Sequence, residues 1–281
     1  MENSAFSIQG IVLLLAAVSS LWLGAVLLAR RPRGRLQWSF AFGMVGFAAE
    51  SLAAFVLLTQ TESPDDRLLW LRVAQIAGLL LVLPWTVFVA TLIAPKGERT
   101  SLGWRLGLGL GSLPTLAGVA AVLAFPGFLI SDIPGPFYAA RMDLVGRVGV
   151  IVQLLASVGI LAGLEAGLRT SRRDTRWRMK YLILGLGGVF LLRFYLLSHV
   201  LLFQVVMASY LTTGAATLFV GNLVIGASLA RARLGQVELT VSRQLLYRSV
   251  VVGVLGCYLF VVGALGWFLT YLGIPEELFW G

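Results

Sequence analysis

Long apolar runs, separated by short polar stretches, repeat along this chain from one end to the other. Each run is close to the roughly 20 residues that an α-helix needs to cross the hydrocarbon core of a bilayer. The pattern predicts eight membrane-spanning helices, at residues 11–29, 38–58, 68–93, 106–125, 144–168, 181–203, 210–229 and 250–271. We therefore expect an all-α fold, a polytopic transmembrane helical bundle that forms a single domain over residues 1–281.

The polar stretches between the runs differ in charge from one to the next. Most of the 22 Lys and Arg residues lie in four stretches, at 30–35, 96–105, 169–180 and 231–248, whereas the stretch after the second run is acidic and the one after the fourth is rich in proline. Loops rich in Lys and Arg stay on the cytoplasmic side of a membrane. The alternation predicts an outside N-terminus and a cytoplasmic connector at residues 230–249.

Composition narrows the class of protein. The chain is 58% hydrophobic and only 12% charged, whereas a soluble domain keeps about 25% charged residues. The alternating segments of about 10 residues that mark an outer-membrane barrel are missing from the sequence. The net charge of +9 arises from arginines between the runs, so it reflects topology and not nucleic-acid binding. We expect a multi-pass protein of the bacterial inner membrane, with the lipid bilayer as its partner.

Two ionisable residues lie near the middle of predicted spans, where charge is costly and is a functional hypothesis by default. Glu50 and Arg193 each lie about 12 residues from the basic end of their span, which is about 18 Å deep at the rise of an α-helix. If the two helices touch, the residues can form a structural clamp, or they can form a polar ligand or proton site. In the remaining alternative they never meet.

Three further residues, His199, Arg72 and Arg147, lie at similar depth near the outer ends of their spans. Together they would form a cluster that binds an anion or senses pH, while the alternative for His199 is an ordinary interhelical contact. Glu165 and Arg169 are spaced i, i+4 near the inner end of the fifth run. That spacing allows an ion pair on one helix face, with either a structural or a signalling role.

The sequence contains no Walker, HExxH or GxSxG motif and no pair of cysteines, because Cys257 is its single cysteine. We therefore expect no catalytic residue, no metal site and no cofactor in this chain, which is not itself an enzyme. A membrane enzyme acting on lipids would need acids or histidines clustered at one interface, and the sequence has none. The glycines of the sixth run, Gly185, Gly187 and Gly188, are predicted to let helices pack closely.

Residues 164–190 carry a resemblance to a known family. The series that carries it is Leu164, Glu165, Arg169, Thr170, Arg176, Trp177, Lys180, Tyr181, Leu184, Gly185, Leu186, Gly187 and Phe190. It resembles the membrane sensor region of PrsK-type histidine kinases, which accompany the PEP-CTERM/exosortase export system. VSRQLLYRS at 241–249 is similar to the cytoplasmic connector of that family. LPWTVF at 83–88 is similar to a span of the wider group of histidine kinases with seven-span N-terminal sensor regions.

The resemblance implies the membrane-embedded input module of a two-component histidine kinase, which passes a periplasmic or membrane signal to a cytoplasmic kinase. It implies a homodimer, a response regulator as partner, and a further span, GAF domain and kinase domain in a longer protein, of which this chain would be the N-terminal portion. The residues expected to relay the signal are Glu165, Arg169, Arg176, Trp177, Lys180 and Arg243. The alternative is a small polytopic transporter or transport-complex subunit, in which Glu50 and Arg193 line a polar path.

Overall fold

The computed structural model describes residues 2–29, 34–61, 63–93, 113, 115–124, 130–132, 139–170 and 173–231. Within these residues the chain is almost entirely helical. The helices are α1 (Glu2–Ala29), α2 (Arg35–Thr59), α3 (Pro64–Ile93), α4 (Thr115–Ala124), α5 (Leu144–Thr170), α6 (Arg173–Phe203) and α7 (Ala208–Arg231). Three short strands complete the described structure: β1 (Ile130–Asp132), β2 (Ala139–Met142) and β3 (Val205–Met207).

Six of the described helices contain a segment long and apolar enough to cross a membrane: Ile8–Ala29, Arg35–Thr59, Asp65–Ile93, Leu144–Arg169, Tyr181–Phe203 and Ser209–Leu229. They confirm six of the predicted spans and a multi-pass helical bundle. In the fourth predicted span the described part is the 10-residue helix α4. The eighth, at 250–271, lies outside the described residues, as does most of the connector at 230–249.

The six long helices form a closed ring in the order α1, α2, α3, α5, α6, α7, and α7 packs back against α1. Helices that follow one another through short connections are antiparallel, whereas α1 and α7 are parallel. Asn222 of α7 lies opposite Ser20 of α1, and Gly226 lies opposite Leu23 further along both helices. Large side chains on the outside, such as Trp22 and Leu184, are 60% exposed, as expected for a surface that faces lipid.

Glycines bring two pairs of helices into close contact. A Cβ atom added to Gly185 of α6 would lie 2.9 Å from the carbonyl oxygen of Gly221 in α7, so the two backbones touch. On α5, a Cβ added to Gly163 would overlap Cγ1 of Val89 in α3. The prediction of close packing is therefore confirmed at Gly185. No described atom lies within 4 Å of a Cβ added to the other two predicted glycines, at 187 and 188, so they take no part in packing the described helices.

A three-stranded antiparallel sheet covers one end of the ring. β2 is the central strand, with Ile130 of β1 opposite Met142 on one side and Val205 of β3 opposite Arg141 on the other. Gln204, with φ 58°, turns the chain from α6 into β3, and its carbonyl oxygen accepts a 2.8 Å hydrogen bond from the N–H of Met142. We call this the sheet end. The opposite end, where α1, α3, α5 and α7 finish, is the basic end.

An aromatic cluster fills the interior of the bundle towards the basic end. Trp85 of α3 is fully buried, and the rings of Phe40, Phe47, Phe88 and Phe190 lie with their centroids 5.4–5.6 Å from it. The group joins α2, α3 and α6. Edge-on and tilted contacts of this kind add about 0.5–1.5 kcal/mol per pair beyond the buried area. The rings therefore close the interior at the level of Trp85.

Candidate functional site

Glu50 of α2 and Arg193 of α6 form an ion pair inside the bundle. Nη1 of Arg193 donates a 2.7 Å hydrogen bond to Oε2 of Glu50, and the side chains are only 15% and 24% exposed. Because α2 and α6 are not neighbours in the ring, the pair spans its interior. Each residue lies 9 or 10 positions from the sheet end of its helix, which is about 14 Å and close to mid-membrane.

Two glutamines extend the ion pair into a network that crosses the bundle. Nη2 of Arg193 donates to Oε1 of Gln153 in α5 at 2.9 Å, and Gln153 is 1% exposed. Nε2 of Gln153 donates to Oε1 of Gln75 in α3 at 3.4 Å, and Gln75 in turn contacts the sulfur of Met142 at 3.8 Å. We call Glu50, Arg193, Gln153 and Gln75 the polar network. It connects four helices of the ring with the central strand of the sheet.

The guanidinium group lies directly against the backbone of α3. A Cβ added to Gly78 would lie 2.8 Å from Nη2 of Arg193 and 3.0 Å from Oε1 of Gln153. Only glycine leaves space for these groups at this position. Charges taken out of water lower the stability of a fold unless they are paired and hydrogen-bonded with good geometry, and the close fit at Gly78 allows that pairing.

A cavity of about 130 Å³ lies between the polar network and the sheet. Each of the six ring helices contributes to its wall, and Met142 of β2 and Val206 of β3 line it at the sheet end. Most lining side chains are aliphatic, and the polar ones are the network, Ser51 and Tyr210. Phe47 lines the cavity and also contacts Trp85, so the cavity ends at the aromatic cluster.

All three residues predicted to form an outer cluster lie in the described part of the chain, and their joint role in binding an anion or sensing pH stays a prediction. The ring of His199 packs among aromatic rings, 4.6 Å from Tyr195 and 6.2 Å from Tyr210 between centroids. Arg147 donates from Nε to the carbonyl oxygen of Met142 at 3.1 Å, whereas Nε of Arg72 is buried without a hydrogen-bond partner. Among the described residues no hydrogen bond or ion pair links any two of the three. Two of them contact residues of the cavity wall: His199 contacts Tyr210, and Arg147 donates its hydrogen bond to Met142.

The predicted relay residues that the structure describes lie at the basic end. Glu165 and Arg169 are in contact on α5, with side chains 34% and 36% exposed, so the i, i+4 pair is formed. Arg176, Trp177 and Lys180 belong to the first turns of α6, but their side chains are not among those described, and Arg243 lies outside the described residues. Their role in signalling stays a prediction.

The uncharged members of the site were not predicted from the sequence: Gln75, Gln153 and Tyr210. The available signal was a single amide within a long apolar run, because such residues join membrane helices by hydrogen bonds. Asn222 of α7 is a second example: its Nδ2 donates to the hydroxyl oxygens of Ser19 and Ser20 in α1 at 2.9 and 2.8 Å. In the part of the chain that the structure describes, no group of three His, Cys, Asp or Glu side chains is arranged to hold a metal ion.

No family model, curated protein or solved structure matches this chain. The resemblance to sensor kinases therefore depends on the motifs at 164–190 and 241–249 and, for the wider group, on the one at 83–88. What the site can do follows from its own chemistry: a paired charge and two amides border a small, mostly aliphatic cavity at one end of a closed helical ring.

Proposed function

We propose that this chain is the membrane-embedded input module of a sensor histidine kinase. In this proposal it lies in the bacterial inner membrane with eight spans, an outside N-terminus and the sheet end facing outwards. The observation that carries the proposal is the position of the cavity. It lies on the sheet side of the polar network, and the aromatic cluster around Trp85 fills the bundle on the other side. A cavity closed towards the cytoplasm suits a receptor better than a transport path.

The polar network is suited to spread a local change through the bundle. Arg193 bonds α2 and α5 at once, and Gln75 and Gly78 bring α3 into the same contact group. A ligand or membrane state that alters these bonds would favour one packing of the four helices over another, which is the differential interaction that any switch requires. The glycine contacts between α3 and α5 and between α6 and α7 are the surfaces that would shift.

The conformational change would pass to the cytoplasmic kinase from the basic end of the bundle. Helices α5 and α6 flank the basic stretch at 169–180, and α7 continues into the connector at 230–249. Glu165, Arg169, Arg176, Trp177, Lys180 and Arg243 are the proposed relay residues. A homodimer and a response regulator, acting through a kinase domain, are the partners implied by the resemblance.

A chimeric kinase tests the proposal. The chain is joined through one further transmembrane helix to the cytoplasmic half of a characterised histidine kinase and reconstituted in vesicles. Filling the cavity with Gly214→Leu should change autophosphorylation about fivefold or more, whereas Gly188→Leu should leave it unchanged, because no described atom lies within 4 Å of a Cβ added there. Equal phosphorylation of both variants and the parent chimera would contradict the proposal.

A transporter is the second candidate, because an ion pair at mid-membrane depth also marks many substrate paths. In that case the aromatic cluster would have to open during each cycle. Proteoliposomes that contain the chain and accumulate or release a small solute, in a manner abolished by Glu50→Gln, would support the transporter over the receptor.

A further inference from the structure

We infer that the cavity between the polar network and the sheet binds a neutral amphiphile that contains one six-membered ring and a hydrogen-bond donor. Phenols are the simplest members of this class. The role of this ligand as a signal rests on the proposed function, whereas the site itself does not. Three properties of the cavity define the ligand: its size, its net charge and its unused hydrogen-bonding groups.

The size and the walls of the cavity suit one six-membered ring. The volume is about 130 Å³, and aliphatic side chains such as Leu13, Leu71 and Leu218 make up most of the lining. For comparison, a purely apolar cavity of about 150 Å³ in another protein binds benzene.

The net charge of the site favours a neutral ligand. Glu50 and Arg193 are the charged residues among those lining the cavity, and they neutralise each other at 2.7 Å. An anion or cation would therefore bring an uncompensated charge into a region of low dielectric constant, which is strongly unfavourable. A molecule that is uncharged at neutral pH avoids this penalty.

The hydrogen-bonding groups of the site favour a donor on the ligand. Glu50 uses Oε2 for Arg193, and among the described residues Oε1 accepts no hydrogen bond. The hydroxyl of Tyr210 on the wall has no hydrogen-bond partner in the described part of the chain, and Gln75 has only the long contacts of 3.4 and 3.8 Å. A ligand O–H can donate a hydrogen bond to a carboxylate or amide oxygen of the polar network. Its oxygen can accept a hydrogen bond from the hydroxyl of Tyr210.

Three probes, each with a single fluorine atom as the NMR reporter, distinguish the effect of ligand charge from that of the hydrogen-bond donor. 4-Fluorophenol is a neutral donor, 4-fluorotoluene is neutral without a donor, and 4-fluorobenzoate is an anion at neutral pH. Fluorine NMR relaxation of each probe is measured with the full chain in nanodiscs, and empty nanodiscs correct for partition into lipid. We expect saturable binding of 4-fluorophenol that is about fivefold or more tighter than that of the other two.

Variants place the binding in the cavity. Gly214 lines it, and the nearest atom to an added Cβ, Cδ1 of Leu196, is 3.6 Å away, so Gly214→Leu fits at its first carbon and fills the space beyond. This variant should abolish 4-fluorophenol binding, and the control Gly188→Leu should preserve it. Tyr210→Phe should weaken 4-fluorophenol about three- to tenfold without affecting 4-fluorotoluene, which provides a second test if Gly214→Leu does not fold.

The outcomes separate this site from the proposed function. Absence of saturable 4-fluorophenol binding, stronger binding of 4-fluorobenzoate, or binding that neither Gly214→Leu nor Tyr210→Phe weakens would overturn the site. If 4-fluorophenol binds as expected but leaves phosphorylation of the chimera unchanged, the site stands and its role as a signal input fails. If Gly214→Leu changes phosphorylation although no probe binds, the input module stands and the ligand class is wrong.

Discussion

The charges of Glu50 and Arg193 should stabilise the bundle only as a pair, so removing both should cost clearly less than the sum of the two single removals. Arg193→Leu breaks a 2.7 Å bond to Glu50 and a 2.9 Å bond to Gln153. It leaves a carboxylate that is only 24% exposed without its counter-charge. Breaking a buried pair in this way typically costs about 3–5 kcal/mol.

One feature of the site sets the expected size within that range. The pair borders a cavity, so partial exposure lowers the penalty of the unpaired charge. We therefore expect Arg193→Leu to lower the free energy of unfolding by about 3–4 kcal/mol, and Glu50→Gln by about 2–3 kcal/mol.

The double variant, Glu50→Gln with Arg193→Leu, contains neither charge. It should be more stable than the sum of the single effects predicts, by about 2 kcal/mol or more. The assay is unfolding in mixed micelles of detergent and sodium dodecyl sulfate, followed by tryptophan fluorescence. The matched control is Glu165→Gln with Arg169→Leu, a pair that is one-third exposed and whose coupling should be about 0.5 kcal/mol or less. Additive effects of the two buried substitutions, within about 0.5 kcal/mol, would refute the reasoning.

Three further predictions can be checked with the same unfolding assay. Gly78→Ala should displace the guanidinium of Arg193 and destabilise the parent protein by about 1–2 kcal/mol. The effect should be smaller in a protein that already carries Arg193→Leu. Equal effects in the two proteins would show that the added methyl group does not contact Arg193. Gly163→Ala should lower the free energy of unfolding by about 1–3 kcal/mol because the added methyl group overlaps Val89, and Val89→Ala should restore part of the loss. The control is Gly159→Ala on the same helix. No described atom lies within 4 Å of a Cβ added there, so this variant should be neutral or stabilising. Asn222→Leu removes two hydrogen bonds to α1 and should cost about 0.6–1.7 kcal/mol; a more stable variant would indicate that these bonds do not join the helices.

The sequence predicted the spans well because the length of an apolar run is set by the thickness of the bilayer. The predicted spans 11–29 and 144–168 differ by only a few residues from Ile8–Ala29 and Leu144–Arg169. The strands were not predicted. β2 pairs with β3 across more than 60 residues of chain, and a strand of three residues is too short to have a detectable alternation of polar and apolar positions.

The site was predictable only in part, for a related reason. Counting residues from the span ends placed Glu50 and Arg193 at one depth, and the structure joins them. The order of helices around the ring cannot be read from runs that are apolar on all sides, so neither the partner Gln153 nor the cavity could be foreseen. The outer cluster of His199, Arg72 and Arg147 stays a prediction, because the contacts of His199 and Arg147 do not exclude a shared anion.

Labelling of the two ends of the bundle from outside the cell tests whether the cavity faces the periplasm. Cys257 is replaced by Ser, and single cysteines are introduced at Asp65, exposed at the sheet end, or at Arg169, exposed at the basic end. In intact spheroplasts a membrane-impermeant maleimide should label Asp65→Cys and should label Arg169→Cys only after the cells are opened. Labelling of Arg169→Cys, and not Asp65→Cys, from the outside would place the cavity on the cytoplasmic side and contradict the receptor.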